Sequence, residues 1–250
     1  MTSSLYITGA GVSKGSGIPT FRGSDGYWRI GSKNYTPQEM ATRAAYRQMP
    51  DEFLFWYYSR FVKYRFADPK PIHYWLADKT LITQNIDALD KKAGNHTYIP
   101  IHGRLDLVTV YHEQKVALET RKAPWDVLQN SLQGNEDPSI VKKNLLDAFR
   151  ISHKTKVPMY NDSLKPFVLL FDEFYSEMYR ISDALKLIEK AKKVIFIGTS
   201  FKVNITAVAL NIAKRNNALI EVIDPEPVDL GINGVNYRKI TVEEYLDGMK

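Results

Sequence analysis

A short apolar strand running straight into glycine constrains this chain more than any other feature. Leu5-Tyr6-Ile7-Thr8 reads as a buried parallel strand, and Gly9-Ala10-Gly11-Val12-Ser13 follows it without a break. Small residues therefore arrive where a strand of an open α/β sheet ends, the place at which such sheets bind ligands. Glycines let the backbone turn sharply there and bring its N–H groups close to phosphate oxygens. A nucleotide diphosphate is the expected guest.

Two commoner phosphate motifs are excluded by particular residues. A dehydrogenase fingerprint needs a third glycine where Lys14 stands and an acidic residue ending a second strand about 20 residues later. Asp25 lies instead in a continuing polar and aromatic stretch. A Walker loop closes on Gly-Lys-Ser/Thr, and Gly17-Ile18-Pro19 does not. What remains is a glycine turn followed by Pro19, Phe21, Arg22 and Gly23. A plain glycine-rich surface turn accounts for Gly9 and Gly11 but not for the whole run.

At 250 residues the chain suffices for one large domain with a small insertion, and 44% hydrophobic residues can fill its core. The formal charge of +6 is spread along the sequence without a long run, so it does not indicate nucleic acid. Cysteine is absent, which excludes disulfides, thiolate nucleophiles and cysteine-ligated zinc. With no apolar stretch of membrane-spanning length and a start that leads directly into a core strand, an intracellular, cytoplasmic protein is expected, without a membrane partner.

Strand and helix alternate at both ends of the chain, which predicts an α/β fold built on a Rossmann-like, mostly parallel sheet with helices on both faces. Lys79–Thr83, Lys193–Ile197 and Leu219–Ile223 read as further strands, with a helix around Thr206 to Arg215 between the last two. Residues 1–250 are expected to form one domain. Its core comprises 1–35, 67–106 and 166–250. Residues 36–66 form a helical insertion of two helices, the second capped by Asp51, and 107–165 form a small lobe.

Three further segments lie at predicted strand ends. Thr83-Gln84-Asn85-Ile86-Asp87 offers two amides and a carboxylate, suited to a carboxamide or to ribose hydroxyls. His102-Gly103 follows Ile99-Pro100-Ile101, and a histidine at a strand end can act as a base near neutral pH. Gly198-Thr199-Ser200 supplies a second small turn for phosphate or ribose.

Taken together, the stretch from Gly9 to Gly23, Thr83 to Asp87, His102-Gly103 and Gly198 to Ser200, in this order and spacing, closely resemble the sirtuin family of NAD-dependent protein deacylases. The resemblance runs from residue 5 to about 245, apart from the middle insertion. It implies NAD as cofactor, with Gly9, Ala10, Gly11 and Ser13 at the pyrophosphate and Phe21 and Arg22 over the reactive ribose. It further implies Gln84, Asn85 and Asp87 at the nicotinamide ribose and carboxamide pocket, Gly198, Thr199 and Ser200 in the same cofactor site, and His102 as general base. The partner implied is an acyl-lysine protein or peptide. In the family's mechanism the acyl oxygen attacks C1′ as nicotinamide leaves, and hydrolysis gives free lysine and O-acyl-ADP-ribose.

Several positions depart from the family pattern. Sirtuins usually bind a structural zinc through two Cys-x-x-Cys pairs in the small lobe. Here no cysteine exists, and His112 and His153 have no short-spaced partner, so no metal site is expected. The lobe must be held by packing, with Tyr111, Trp125, Leu128, Leu145, Leu146 and Phe149 as candidates. In the substrate segment ending Phe171-Asp172-Glu173, Asp172 replaces the family's glycine and is expected to reshape the peptide site. Phe171, Glu173 and Phe201 are substrate-site candidates, Phe201 because it could narrow the acyl tunnel. Tyr57 and Arg60 match the Tyr-x-x-Arg of sirtuins that remove succinyl, malonyl or glutaryl groups; the alternative is a core tyrosine beside a solvated arginine. Asp224 ends the strand Leu219–Ile223, where it would either bind the adenosine ribose or cap the turn before Pro225. An NAD glycohydrolase, a mono-ADP-ribosyltransferase and a non-catalytic NAD sensor are the competing functions.

Overall fold

In the computed structural model, which describes residues 3–20, 35–114, 118–134 and 136–249, β1 (Ser4–Thr8) leads into a 3-10 turn over Ala10–Ser16. The helices α1 (Pro37–Met40), α2 (Arg43–Gln48), α3 (Pro50–Tyr64) and α4 (Pro71–Trp75) precede β2 (Leu81–Thr83), α5 (Leu89–Lys92) and β3 (Ile99–Pro100). Next come β4 (Gly103–Val110), β5 (Arg121–Lys122), α6 (Trp125–Leu132), α7 (Pro138–Ala148) and β6 (Leu164–Val168). The final third contains α8 (Ile181–Lys190), β7 (Lys193–Ile197), α9 (Asn204–Arg215), β8 (Leu219–Ile223), β9 (Val235–Arg238) and α10 (Val242–Asp247). Among the described residues no helix is long and apolar enough to cross a membrane.

The chain divides into two units. One takes the described residues of 1–27, 67–102 and 179–250, and the other those of 28–66 and 103–178. In the first, six strands form an all-parallel sheet in the order β3-β2-β1-β7-β8-β9. Strands buried on both faces need continuous apolar runs, which Leu5-Tyr6-Ile7 and Val194-Ile195-Phe196-Ile197 provide. Ile72 of α4, Leu76 just after it, and Val242 and Tyr245 of α10 join Tyr6, Ile195 and Ile223 in one apolar cluster. Burying each large aliphatic side chain contributes about 1.5–3 kcal/mol. A charged exception in the sheet is Glu221, buried in β8, whose carboxylate is neutralised by Lys193 of β7 and Arg238 of β9.

Backbone contact between two loops fixes the ligand-facing edge of this sheet. Gly11 N–H donates to the Gly198 carbonyl at 2.9 Å. A Cβ on Gly11 would lie 2.5 Å from the Gly198 Cα, and one on Gly9 would lie 2.7 Å from the Gly198 oxygen. Gly198 itself has φ +60, so both its conformation and its space exclude a side chain.

In the second unit β5, β4 and β6 form an antiparallel sheet in that order. Tyr111, Trp125, Leu128, Leu145, Leu146 and Phe149 are all buried, as expected for a lobe held by packing. Trp125 meets Phe149 in a tilted ring contact at 4.8 Å and donates its indole N–H to the Leu105 carbonyl at 2.7 Å. A buried ion triad adds a polar clasp: Glu173 accepts from Lys165 at 3.1 Å and from Arg43 at 3.0 Å. Burial would raise the Glu173 carboxyl, but Lys165 and the Leu170 N–H hold it below the usual range. Arg43 lies 4.4 Å over the Tyr111 ring, which stacks at 4.5 Å on Tyr160. Removing one partner from such a pair typically costs about 3–5 kcal/mol. Among the described residues no group of three or more His, Cys, Asp or Glu side chains is placed to hold a metal ion.

Several local expectations are corrected. Residues 36–66 contain three helices, because Thr42 caps α2 by accepting the Ala45 N–H and Pro50 then starts α3. Asp51 sits inside the first turn of α3, where it accepts the Glu52 N–H and pairs with Lys156. The strand expected over Lys79–Thr83 begins at Leu81. Residues 166–178 group with the lobe, where β6 pairs with β4, and so do helices α1 to α3. Asp172 spends its carboxylate on the backbone N–H groups of Arg43 and Ala44, at 2.6 and 3.1 Å, holding the start of α2.

Gly11→Ala is expected to lower stability by about 1–3 kcal/mol in denaturant unfolding. Gly15→Ala, whose Cβ meets only the Glu243 carboxylate at 3.2 Å and the Lys70 side chain at 3.5 Å, should cost far less. Incubation with EDTA or phenanthroline should leave the thermal midpoint unchanged; a fall restored by zinc would contradict a lobe held by packing and ion pairs.

Candidate active site

The sheet order reverses at β1, which has β2 on one side and β7 on the other. Ligands of parallel α/β sheets bind at such a switch point, outside the carboxyl ends of the strands. Gly9, Ala10, Gly11 and Ser13 follow β1; Gln84, Asn85 and Asp87 follow β2; His102 follows β3; Gly198, Thr199, Ser200 and Phe201 follow β7; Asp224 follows β8. All belong to the first unit. Phe21 and Arg22 lie outside the described residues.

Hydrogen bonds weld these loops together. The Asn85 amide Nδ2 donates to the Gly9 carbonyl at 3.0 Å and to Ser13 Oγ at 3.1 Å. Ser13 in turn donates to Asp87 Oδ2 at 2.7 Å, and Asp87 Oδ1 accepts the Leu89 N–H at 3.0 Å. Ser13, expected at the pyrophosphate, is 1% exposed, so its hydroxyl serves the loop beneath. Gln84 bonds the Thr199 hydroxyl at 3.1 Å, tying the β2 and β7 loops.

His102 has Nδ1 3.0 Å from the Gln84 carbonyl. Only a protonated Nδ1 can make that bond, so Nε2 is the basic nitrogen. Burial pushes the imidazole down to about 4, against the opposing pull of the Gln84 carbonyl. His102 is therefore neutral at physiological pH and able to accept a proton.

The other candidates are placed as follows. Asp224 is partly exposed, and its Oδ1 accepts the Glu226 N–H at 2.9 Å, the turn-capping bond considered for it. Phe201 holds φ +55, uncommon for a bulky residue, with its ring 4.9 Å from Phe196. In the second unit Tyr57 is buried against Phe53 and Trp56. Arg60 is not on a solvated face: it is 2% exposed, lies 3.3 Å over the Trp56 ring and donates to the Trp56 carbonyl. Phe171 is 52% exposed, whereas the Glu173 carboxylate is taken up by Lys165 and Arg43.

The residues present fit NAD. Close-packed glycine turns bring backbone to the switch point without side chains, and amide, hydroxyl and carboxylate groups surround it for ribose and carboxamide. Three residues beneath the site escape sequence reasoning. Thr8 donates to Thr83 Oγ1 at 2.8 Å, while His73 and Asp90 are buried at 1% and 3% exposure. The three-residue spacing of Asp87 and Asp90 is the signal that marks the last of these.

Comparison with known proteins agrees with this geometry. The profile of the Sir2 family matches residues 9–205. An NAD-dependent protein deacylase of Pyrococcus furiosus is 32% identical over 89% of this chain and 82% of its own length. A solved complex of a Sir2 homologue with NAD superposes with a TM-score of 0.73 at 28% identity, covering 99% of this chain and 88% of the other. An ADP-ribose complex of a Sir2 homologue matches at 27% identity with the same TM-score, covering 99% and 90%. The chain belongs to the Sir2 family.

Proposed function

We propose that this protein is an NAD-dependent protein-lysine deacylase in which His102 is the general base. The observation that carries the proposal is the neutral His102, oriented by the Gln84 carbonyl, in the same loop cluster as Asn85 and the glycine turns. When bound, NAD supplies an ADP-ribosyl electrophile to which the lysine's acyl oxygen bonds as the bond to nicotinamide breaks.

The chain's own residues then have separable tasks. Gly9 to Gly11 and Gly198 bring backbone up to the pyrophosphate. Asn85, held by Gly9 and Ser13, orients the nicotinamide end, and Asp87 is fixed behind it by Ser13 and the Leu89 N–H. His102 takes a ribose hydroxyl proton at Nε2 while its Nδ1–H keeps donating to the Gln84 carbonyl. Asp224, with one oxygen on Glu226, is positioned to disfavour a 2′-phosphate. The substrate is an acyl-lysine of a protein or peptide. Acidic acyl groups are favoured by Arg60, a buried guanidinium braced on Trp56, with Tyr57 on the same helix.

Acetyl-, succinyl- and long-chain acyl-lysine peptides, incubated with NAD and followed by mass spectrometry, test the proposal. His102→Ala should lower turnover by about 100-fold or more while NAD still binds, the scale of a lost general base. Arg60→Met should selectively remove desuccinylation. Nicotinamide release with no deacylated peptide would favour a glycohydrolase instead, and label transfer from NAD to protein an ADP-ribosyltransferase.

A further inference from the structure

Two left-handed residues bracket the turn that follows β7. Gly198, at φ +60, begins it and Phe201, at φ +55, ends it, with Thr199 and Ser200 between. Glycine takes that conformation freely, but for a bulky side chain it is an outlier that persists only where the surroundings enforce it. At Gly198 the backbone itself is tied down: its N–H donates to the Ile223 carbonyl at 3.0 Å and its carbonyl accepts the Gly11 N–H at 2.9 Å. At Phe201 the tie is a side chain, whose ring lies 4.9 Å from that of Phe196, fully buried in β7. The Phe201 N–H points back to Thr199 Oγ1, 3.5 Å away. The same oxygen accepts the Gln84 amide at 3.1 Å, and the two lone pairs of a hydroxyl suffice for both bonds. Gln84 in turn offers the backbone carbonyl that His102 Nδ1 meets at 3.0 Å.

We infer that Phe201 is a positioning residue for the cofactor turn: its ring, seated on Phe196, keeps the backbone left-handed so that the Phe201 N–H holds Thr199 against Gln84. The inference rests on Thr199 and Gln84 lying in the NAD site proposed above. The angle φ sets how the peptide plane carrying the Phe201 N–H is turned relative to the ring and to the chain entering α9. With the ring fixed on Phe196 and α9 docked, a φ of the ordinary sign would rotate that plane off Thr199. The hydroxyl would then keep one partner of two, and the side chain of Gln84 would lose part of its support. Thr199 is 4% exposed, so water is no ready substitute for the lost bond. This places the bulk of Phe201 in the service of the cofactor loop, a different task from narrowing an acyl tunnel.

The test is NAD affinity by calorimetry for the full chain and its variants. Phe201→Ala removes the ring and leaves the cost of the left-handed backbone; Phe201→Asn also removes the ring but takes that conformation readily. Phe201→Ala should bind NAD about tenfold more weakly, the scale of one lost oriented hydrogen bond, and Phe201→Asn should recover part of the loss. Thr199→Val keeps the shape of Thr199 without the acceptor and should weaken binding by a similar factor. Adding Phe201→Ala to Thr199→Val should then cost little more, because both act on one bond; a merely structural role would leave the two losses additive. Wild-type affinity in Phe201→Ala overturns the inference, as does Phe201→Asn no better than Phe201→Ala, or full additivity in the double variant. Unchanged NAD affinity with an altered choice between acetyl- and long-chain acyl-lysine peptides also overturns it, in favour of the acyl tunnel. If Phe201→Ala fails to fold, amide hydrogen exchange decides. The Phe201 N–H should be protected in wild type and exchange about tenfold faster in Thr199→Val, and equal rates overturn the inference. Wild type that binds NAD yet deacylates no peptide would overturn the proposed reaction while leaving this test intact.

Discussion

Everything at the candidate site hangs on two loops whose backbones touch. Gly11 and Gly198 approach so closely that no side chain fits between them, and the N–H of one bonds the carbonyl of the other at 2.9 Å. This contact joins the ends of β1 and β7, the neighbouring strands at which the sheet order reverses. The glycines thus serve first as a seam between loops. The same absence of side chains leaves a smooth edge at the ends of these strands.

Around that seam, charge is distributed by hydrogen bonding more than by ion pairing. Asn85 bridges Gly9 and Ser13, Ser13 commits its proton to Asp87, and Gln84 joins Thr199 while its carbonyl selects the tautomer of His102. A low-dielectric setting strengthens such bonds and makes each unpaired group costly, so the loops have little freedom to rearrange. His102 stays neutral because burial disfavours the imidazolium, against the pull of the Gln84 carbonyl. The second unit solves a different problem. Its Arg43, Glu173 and Lys165 triad and the Tyr111–Tyr160 stack clasp the segments around β4 and β6.

The sheet was legible because parallel strands buried on both faces must be apolar runs. Lys193–Ile197 and Leu219–Ile223 could be read from the sequence to the residue. The glycine turns and His102 were legible because each is a residue type with a narrow physical use at a strand end. The partners of Asp172, the N–H groups of Arg43 and Ala44, could not be read because they lie well over a hundred residues away in sequence. Arg43 itself gave no sign of its role for the same reason, since Glu173 and Tyr111 meet it only in the folded chain. Thr8, His73 and Asp90 lacked any local pattern beyond the spacing of Asp87 and Asp90. That Arg60 lies off the solvated face is seen only from its burial over Trp56.

In the proposed reaction, the loop cluster at the switch point couples cleavage of NAD to removal of an acyl group from lysine. The most direct test of this coupling is the product stoichiometry of a single turnover with an acyl-lysine peptide, quantified by mass spectrometry. The account predicts equal amounts of nicotinamide, free-lysine peptide and O-acyl-ADP-ribose. Nicotinamide and plain ADP-ribose appearing while the peptide keeps its acyl group would contradict it.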